Sequence, residues 1–307
     1  MPHKKLLFVL PAILLLYLAT SVIAEPTDLY FIDAHSQADS EDVLQRVIPL
    51  MDQAGVRRTI LSARQKLTSG DITNFAEQHP DRITASVRTK GRDYEENTNG
   101  YYRMLESDMS SEKFGAISEL LMYHAQKGKK APEVVVYPDD NRVQTTLALA
   151  KKKEWPLVVH IEFASLAEDN KIKYMEQLEA MLTQNPGQPF VMIHMGQLRP
   201  VDVQRLIESH QNIYFMTSHT NPVAINKSNQ PWAPMFEGDV LAPKWRELVT
   251  LYRNRFILAF DNVWSDQWGS FYLQEAEYWH KAFMALPQDV SRAIAHENAE
   301  RLWHISK

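Results

Sequence analysis

Cysteine is absent from the 307 residues. Without thiols the chain cannot be tied by disulfides, and any metal site in it must be built from imidazole, carboxylate and amide groups. Glycine is scarce, with ten residues in all. The Gly-rich phosphate turn that follows the first strand of an open dinucleotide-binding sheet is missing. Positive charge is not in excess: 33 Lys and Arg face 38 Asp and Glu, a formal net charge of −5. Nothing here supplies the basic face that nucleic acid demands. Past the N-terminus no stretch is apolar enough for a membrane helix. Internal repeats, low-complexity tracts and interdomain linkers are also lacking.

The chain opens on an address. Met1 to Lys5 is a short cationic start, and Leu6 to Leu18 is a leucine-rich run too short to span a bilayer comfortably. Val22-Ile23-Ala24 then offers a cleavage-type site before Glu25-Pro26. Residues 1–24 read as a secretory signal cut after Ala24, which directs the product to the periplasm or outside. The competing reading is an uncleaved anchor. Residues 25–307 remain as a single domain, of a size that α/β barrels commonly reach. With 45% hydrophobic residues, 7 Trp, 12 Tyr and 12 Phe, they have ample material for a packed core.

Short β-branched apolar runs alternate with longer amphipathic ones, which argues for βα units and a parallel sheet. Strands are expected over Leu29–His35, Arg58–Ala63, Ile83–Arg88, Gly115–Met122, Leu157–Phe163, Phe190–Gly196, Ile213–Ser218 and Phe256–Asp261. Between them lie helix-period faces, such as Val43, Val47, Leu50, Met51 and Ala54, then Leu147, Leu149 and Ala150, then Met175, Leu178, Met181 and Leu182. Gly55, Pro80 and Asn185-Pro186-Gly187 stand where three of these helices should stop, and a last helix is expected over Gln288–Trp303. Eight strands with helical connections point to a (β/α)₈ TIM barrel. An open doubly wound sheet is the alternative.

Several strands end in chemistry. Strand one reads Ile32-Asp33-Ala34-His35-Ser36-Gln37, and alternation puts Asp33, His35 and Gln37 on one face. Strand five places His160 and Glu162 on one face, strand six carries His194, strand eight ends in Asp261, and strand four carries Glu119. A lone histidine among apolar residues is usually a satisfied core residue. Here imidazoles and carboxylates recur at the strand ends where barrel enzymes keep their active sites. Together they form the ligand set that suits zinc, manganese or iron.

At these residues the chain resembles the amidohydrolase-related family of the metal-dependent hydrolase superfamily. The resemblance rests on Ile32-Asp33-Ala34-His35, Val158-Val159-His160, Ile193-His194-Met195-Gly196, Phe260-Asp261 and the terminal Glu297-Asn298-Ala299-Glu300-Arg301-Leu302-Trp303. It implies a (β/α)₈ barrel acting on esters, amides, lactones or carboxylates of small molecules. It also implies roles: His35, His160 and Asp261 as metal ligands, His194 and Asp261 as catalytic groups, and Glu119 as the strand-four carboxylate, with Glu119 and Glu162 as candidates for a second metal, for support of the ligands or for a substrate contact. One position departs from the pattern. Gln37 stands where the family carries a second strand-one histidine, and an amide oxygen is a poor ligand beside an imidazole, so Gln37 would ligate the metal weakly or hydrogen-bond its water.

The leading expectation is a divalent metal, zinc first, that activates a water at the barrel mouth, with Asp261 taking the water's proton and His194 polarising the scissile carbonyl. Metal-free lactone hydrolysis or a decarboxylase-type step is the alternative. A catalytically inactive binding protein on the same barrel is another. Substrate contacts are expected from Arg88, Glu162, His219 and Trp264, and Arg64 with Arg88 could hold a substrate carboxylate bidentately. Two aromatic segments leave strand ends, Asn221–Pro243 with Trp232 and Asn262–Tyr272 with Trp264 and Trp268. Each reads as a substrate wall or as ordinary packing. Lys127–Lys130 and Lys151–Lys153 read as solvated charge runs. His124 and His296 have no evident partner. A small-molecule substrate is the expected partner, and a homo-oligomer is left open.

Overall fold

A computed structural model describes residues 29–306, apart from residues 118, 129 and 130. The leader expected over residues 1–24 lies outside the described residues. Twelve strands are assigned there: β1 (Phe31–Ala38), β2 (Val56–Ala63), β3 (Ile83–Val87), β4 (Ala116–Ile117), β5 (Leu120–His124), β6 (Val134–Val135), β7 (Leu157–Ile161), β8 (Phe190–Met192), β9 (Ile213–Met216), β10 (Phe236–Glu237), β11 (Val240–Leu241) and β12 (Phe256–Ile257). The helices are α1 (Glu41–Ala54), α2 (Ser69–Gln78), α3 (Arg92–Glu95), α4 (Asn99–Ser110), α5 (Asn141–Lys153), α6 (Glu168–Gln184), α7 (Pro200–Ser209), α8 (Pro222–Lys227), α9 (Pro243–Leu251), α10 (Ser270–Met284), α11 (Gln288–Arg292) and α12 (Asn298–Leu302).

The order β1-β2-β3-β4 continues through β5-β7-β8-β9-β12, all parallel, with β4 and β5 forming one barrel strand broken near Glu119. Backbone bonds close the ring between first and last strands: Ala34 N–H donates to Leu258 O, Asp261 N–H to His35 O, and Gln37 N–H to Asn262 O. The fold is therefore the closed (β/α)₈ barrel. Two small pieces decorate it, the antiparallel β6 beside β5 and the β10–β11 hairpin.

Local chemistry sets the elements. In α1 the residues Val43, Val47, Leu50, Met51 and Ala54 are all buried, and Gly55 ends the helix at φ 68°, where a side chain would be strained. Thr68 and Asp71 form a reciprocal capping box at the start of α2. On α6 Leu178, Met181 and Leu182 are buried together with Tyr174. Two cores result. One fills the barrel lumen with Ile32, Ile60, Val158, Val191, Ile193, Met216 and Ile257, and the other packs between the strands and the outer helices.

The lumen core also contains Ala299, Leu302 and Trp303, so the C-terminal helical segment plugs the barrel. It does so at the end where the strands begin: Asn298 donates to Arg253 O and Phe256 O, and His296 stacks on Tyr30 with centroids 3.9 Å apart. That segment was expected as one helix. It is α11, a π turn over Ala293–Glu297, and α12. Widening the turn lets Ile294 O accept Leu258 N–H from the last strand. With the bottom sealed, the opposite, C-terminal strand ends are left for chemistry.

Three strands differ from expectation at that mouth. The register of β1 shifts between Asp33 and Ser36, so strict alternation fails. Asp33 turns away from the mouth and accepts from Phe260 N–H, His35 N–H and Ser36 Oγ. Strand six stops at Met192, and the next residues turn left-handed: His194, Met195, Gly196 and Gln197 have φ of 54°, 55°, 62° and 56°. Strand eight stops at Ile257. Beyond it Leu258 O and Asp261 N–H bond to β1, while Leu258 N–H donates to Ile294 O and Ala259 N–H to Thr217 Oγ1.

Candidate active site at the barrel mouth

The mouth floor is a chain of imidazoles and carboxylates joined through Asp261 and Glu119. Asp261 Oδ1 lies 3.3 Å from His35 Nε2 and 3.3 Å from Gln37 Nε2. Its Oδ2 lies 3.4 Å from His194 Nε2 and 3.8 Å from His219 Nε2. Gln37 Nε2 also reaches Glu119 Oε1 at 3.3 Å. Glu119 Oε2 lies 2.6 Å from His160 Nδ1, and His160 Nε2 lies 3.1 Å from Glu162 Oε1. His35, Gln37, Glu119, His160, Glu162, His194 and Asp261 are all buried.

Backbone strain aims these groups. His194, His219 and Asp261 sit at φ of 54°, 57° and 55°, the left-handed region that costs a side-chain-bearing residue free energy. The turn brings the His194 and His219 rings into a parallel stack, 4.4 Å between centroids. His194 Nδ1 is anchored 2.9 Å from Ser218 Oγ, which leaves Nε2 facing Asp261. Gly196 has no side chain where a Cβ would press within 3.0 Å of Met192 Cγ.

Burial dominates the electrostatics. It opposes ionisation of Asp261, yet the His35 hydrogen bond and charge, then His219 and Lys90, hold that carboxyl well below the usual carboxylate range. Burial pushes His219 down to about 4 and, with the neighbouring His219, holds His194 well below its ordinary value, so both imidazoles are neutral near pH 7. Burial also lowers His160, against the pull of Glu162. Glu162 overcomes its own burial through His160 and Lys127 and stays below its ordinary range.

Above this floor lies a cavity of about 380 Å³. Its wall carries Arg64, Arg88, Lys90 and Lys127, with Trp232, Trp264 and Phe271 from the two aromatic segments. Arg64 rests 4.2 Å from the Trp264 ring and Lys127 4.5 Å from the Trp232 ring. The volume suits a ring-sized small molecule.

Most of the expected site residues meet here: His35, Gln37, Glu119, His160, His194 and Asp261 on the floor, Arg64, Arg88, His219 and Trp264 on the cavity wall. Two assignments change. Glu162 does not line the cavity. It is held by Lys127 Nζ at 2.5 Å, Ala125 N–H at 2.9 Å and His160, and so orients His160 rather than touching substrate. The triad His35, His160 and Asp261 does not share one point. Donor atoms within 4.8 Å of one another group instead as His35/Glu119/Asp261, Glu119/His160/His194, His194/His219/Asp261 and His124/His160/Glu162. Both His160 nitrogens already face carboxylates, which is why Glu119 separates it from His35.

Two cations were missed. Lys127, grouped with a solvated charge run, pairs with Glu162. Lys90 lies three residues beyond β3 and forms an ion pair with Glu119 Oε1. Burial, then Arg64, pushes its ammonium well below the ordinary lysine range. The strand-end reasoning that picked out Arg88 applies equally to Lys90. Lys151–Lys153, by contrast, end α5 on the surface as expected.

A closed (β/α)₈ barrel with imidazoles and carboxylates gathered at its C-terminal mouth defines the class of protein. The amidohydrolase family model matches residues 128–305, more than half of the chain. The chain belongs to the amidohydrolase family and is a hydrolase by class. No curated protein sequence matches it significantly. Solved structures share the fold at low identity. An uncharacterised TIM-barrel protein from Bordetella bronchiseptica has a TM-score of 0.61 at 12% identity, covering 90% of this chain and 99% of that one. Dihydroorotase from Saccharomyces cerevisiae in complex with 5-fluoroorotic acid has a TM-score of 0.60 at 10% identity, covering 92% and 86%. A 5-carboxyvanillate decarboxylase from Novosphingobium aromaticivorans, with bound manganese and 3-methoxy-4-hydroxy-5-nitrobenzoic acid, has a TM-score of 0.54 at 13% identity, covering 90% and 97%.

Proposed function

We propose that the protein hydrolyses an ester, lactone or amide bond in a small, carboxylate-bearing ring compound. The observation that carries this reading is the ionised Asp261 under a cavity walled by Arg64, Arg88, Lys90 and Lys127. Arginine forks bind carboxylates bidentately, and the tryptophans offer flat faces to a ring. Two of the structural neighbours hold ring-bearing carboxylic acids, which agrees with this assignment.

The family usually employs a divalent metal. Gln37 Oε1 is buried without a hydrogen-bond partner. The neutral Nε2 atoms of His194 and His219 converge on Asp261 Oδ2. Among the described residues, His194, His219 and Asp261 form a group that fits one ion. Zinc leads on donor type, and one neighbour contains manganese. Bound there, the ion would supply a Lewis acid and an acidified water.

The chain's own residues do the rest. Arg64 and Arg88 seat the substrate carboxylate and set which bond faces the floor. Asp261, ionised at neutral pH, accepts a proton from the attacking water at Oδ2 and returns it to the leaving oxygen or nitrogen. Ser218 fixes the His194 ring with Nε2 aimed at Asp261, where it would help to hold the ion. Trp232 and Trp264 exclude bulk water. The second reading, metal-free catalysis, is favoured by Lys90 on Glu119 and by the Gln37 amide on both carboxylates. Activity that survives exhaustive chelation selects it. We also propose export, with cleavage after Ala24.

The test is a panel of carboxylated lactones, esters and amides, each beside its methyl-esterified counterpart. Hydrolysis confined to the free carboxylates, and lost in Asp261→Asn, is expected. No turnover across the panel, or an undiminished Asp261→Asn enzyme, would sink the assignment.

A further inference from the structure

Two of the ligand triads share a residue. His35/Glu119/Asp261 and Glu119/His160/His194 both include Glu119, with donor atoms in each within 4.8 Å. A carboxylate common to two adjacent triads is placed to bridge two cations, the arrangement of two-ion hydrolytic sites. The two carboxylates of this floor are not equivalent, however. At ion-pair distance Asp261 faces imidazoles only, among the described residues. Glu119 already has a cation: Lys90 Nζ pairs with Oε1.

Hydrogen bonds around Glu119 hold that lysine in place, although burial and the nearby Arg64, Arg88 and Lys127 disfavour its charge. Gln37 Nε2 donates to the same Oε1 at 3.3 Å and to Asp261 Oδ1 at 3.3 Å. Turning the amide over would set its oxygen against two carboxylates, so its orientation is fixed by charge. The Lys90 side chain is only 12% exposed and the Glu119 side chain 2%. Thr89, the residue before Lys90, donates through Oγ1 to Glu119 O at 2.5 Å, and Arg88 Nε donates to Lys90 O at 2.8 Å. The segment after β3 is thus bonded to the strand that carries Glu119 and cannot swing its lysine away freely.

We propose that Lys90 is the resident counter-cation of Glu119, occupying the place where a second divalent ion would bridge, so that this mouth accepts at most one ion, at Asp261. Gln37 and Lys90 act as a pair. The amide removes a ligand from the strand-one corner and the ammonium neutralises the acid left behind. The inference rests on reading the mouth as a cation site and not on hydrolysis, so it is tested without turnover.

The full chain is dialysed to equilibrium against Mn²⁺ and bound ions are counted by elemental analysis for wild type, Lys90→Met, Lys90→Arg and Lys90→Met/Glu119→Gln. Lys90→Met should hold one ion more than wild type, bound at least about tenfold more tightly than any second ion of wild type. Lys90→Arg should match wild type, because the charge remains, and the double variant should return to the wild-type count. A folded Lys90→Met protein with the wild-type count overturns the proposal, as does a gain that survives Glu119→Gln. Should Lys90→Met fail to fold, the electron paramagnetic resonance spectrum of Mn²⁺-loaded wild type decides. Isolated Mn²⁺ alone is expected, and a spin-coupled pair contradicts it. The wild-type count separately tests the ion at Asp261: zero ions removes that ion and leaves the one-ion difference as the readout for Lys90.

Discussion

The two ends of the barrel solve opposite problems. At the end where strands begin, the C-terminal segment closes the lumen with Ala299, Leu302 and Trp303. At the end where strands finish, His194, Met195, Gln197, His219 and Asp261 all take left-handed backbone, and buried atoms such as Gln37 Oε1 and His219 Nδ1 lack hydrogen-bond partners. Strain and unmet polarity cost stability, and they persist only where the surrounding structure imposes them. The plug and the packed lumen offset what the mouth gives up. Stability and chemistry are therefore separable along the barrel axis.

That separation can be broken by substitution. The largest effect on folding is expected from Trp303→Ala at the plug. The residue is 5% exposed, and its loss should cost about 3–5 kcal/mol in denaturant unfolding while the folded fraction keeps its turnover. An equal loss of kcat per folded molecule would show that the plug and the mouth are coupled. On the mouth side, Arg88→Ala should raise KM for a carboxylated substrate about 10–100-fold with a smaller change in kcat. An unchanged KM would move the carboxylate to Arg64 or the lysines.

Glu275 on α10 sharpens the comparison through pH. It is fully buried, its Oε1 accepts from Asn221 Nδ2 at 2.8 Å, and burial pushes its carboxyl well above the usual range. A raised folded-state pKa gives stability that is complete below the unfolded value of about 4.3 and is lost as pH rises through the folded value. Glu275→Gln should remove that loss. Its melting temperature should gain on wild type as pH increases from 5 to 9, and parallel curves would refute a neutral Glu275. The smallest effect is expected from Glu154→Gly. Glu154 is exposed and ends α5 at φ 57°, so glycine should relieve about 1 kcal/mol of strain with no change in activity.

Much of this architecture is legible in the residues. Hydrophobic period and stop residues locate all eight barrel strands and helix ends such as Gly55, because burial of one face is a local property of sequence. Histidines and carboxylates at strand ends locate the mouth for the same reason. What escapes the sequence depends on neighbours far along the chain. The bulge in β1 turns Asp33 onto the Phe260 backbone, 227 residues away, so alternation assigns it to the wrong place. Nothing in Ile193-His194-Met195-Gly196-Gln197 declares a left-handed turn except its single glycine. Lys90 and Lys127 look like surface lysines until Glu119 and Glu162 are brought beside them.

One paired measurement bears most directly on the claim that catalysis resides at Asp261 while folding is secured at the opposite end. It is kcat/KM together with melting temperature for Asp261→Asn and Trp303→Ala. Asp261→Asn should lose about 10³-fold or more in kcat/KM, as removal of a general base does, while melting within a few degrees of wild type. Trp303→Ala should melt far lower with kcat/KM per folded molecule nearly intact. A catalytically competent Asp261→Asn protein, or one whose activity falls only in step with its stability, would contradict the account.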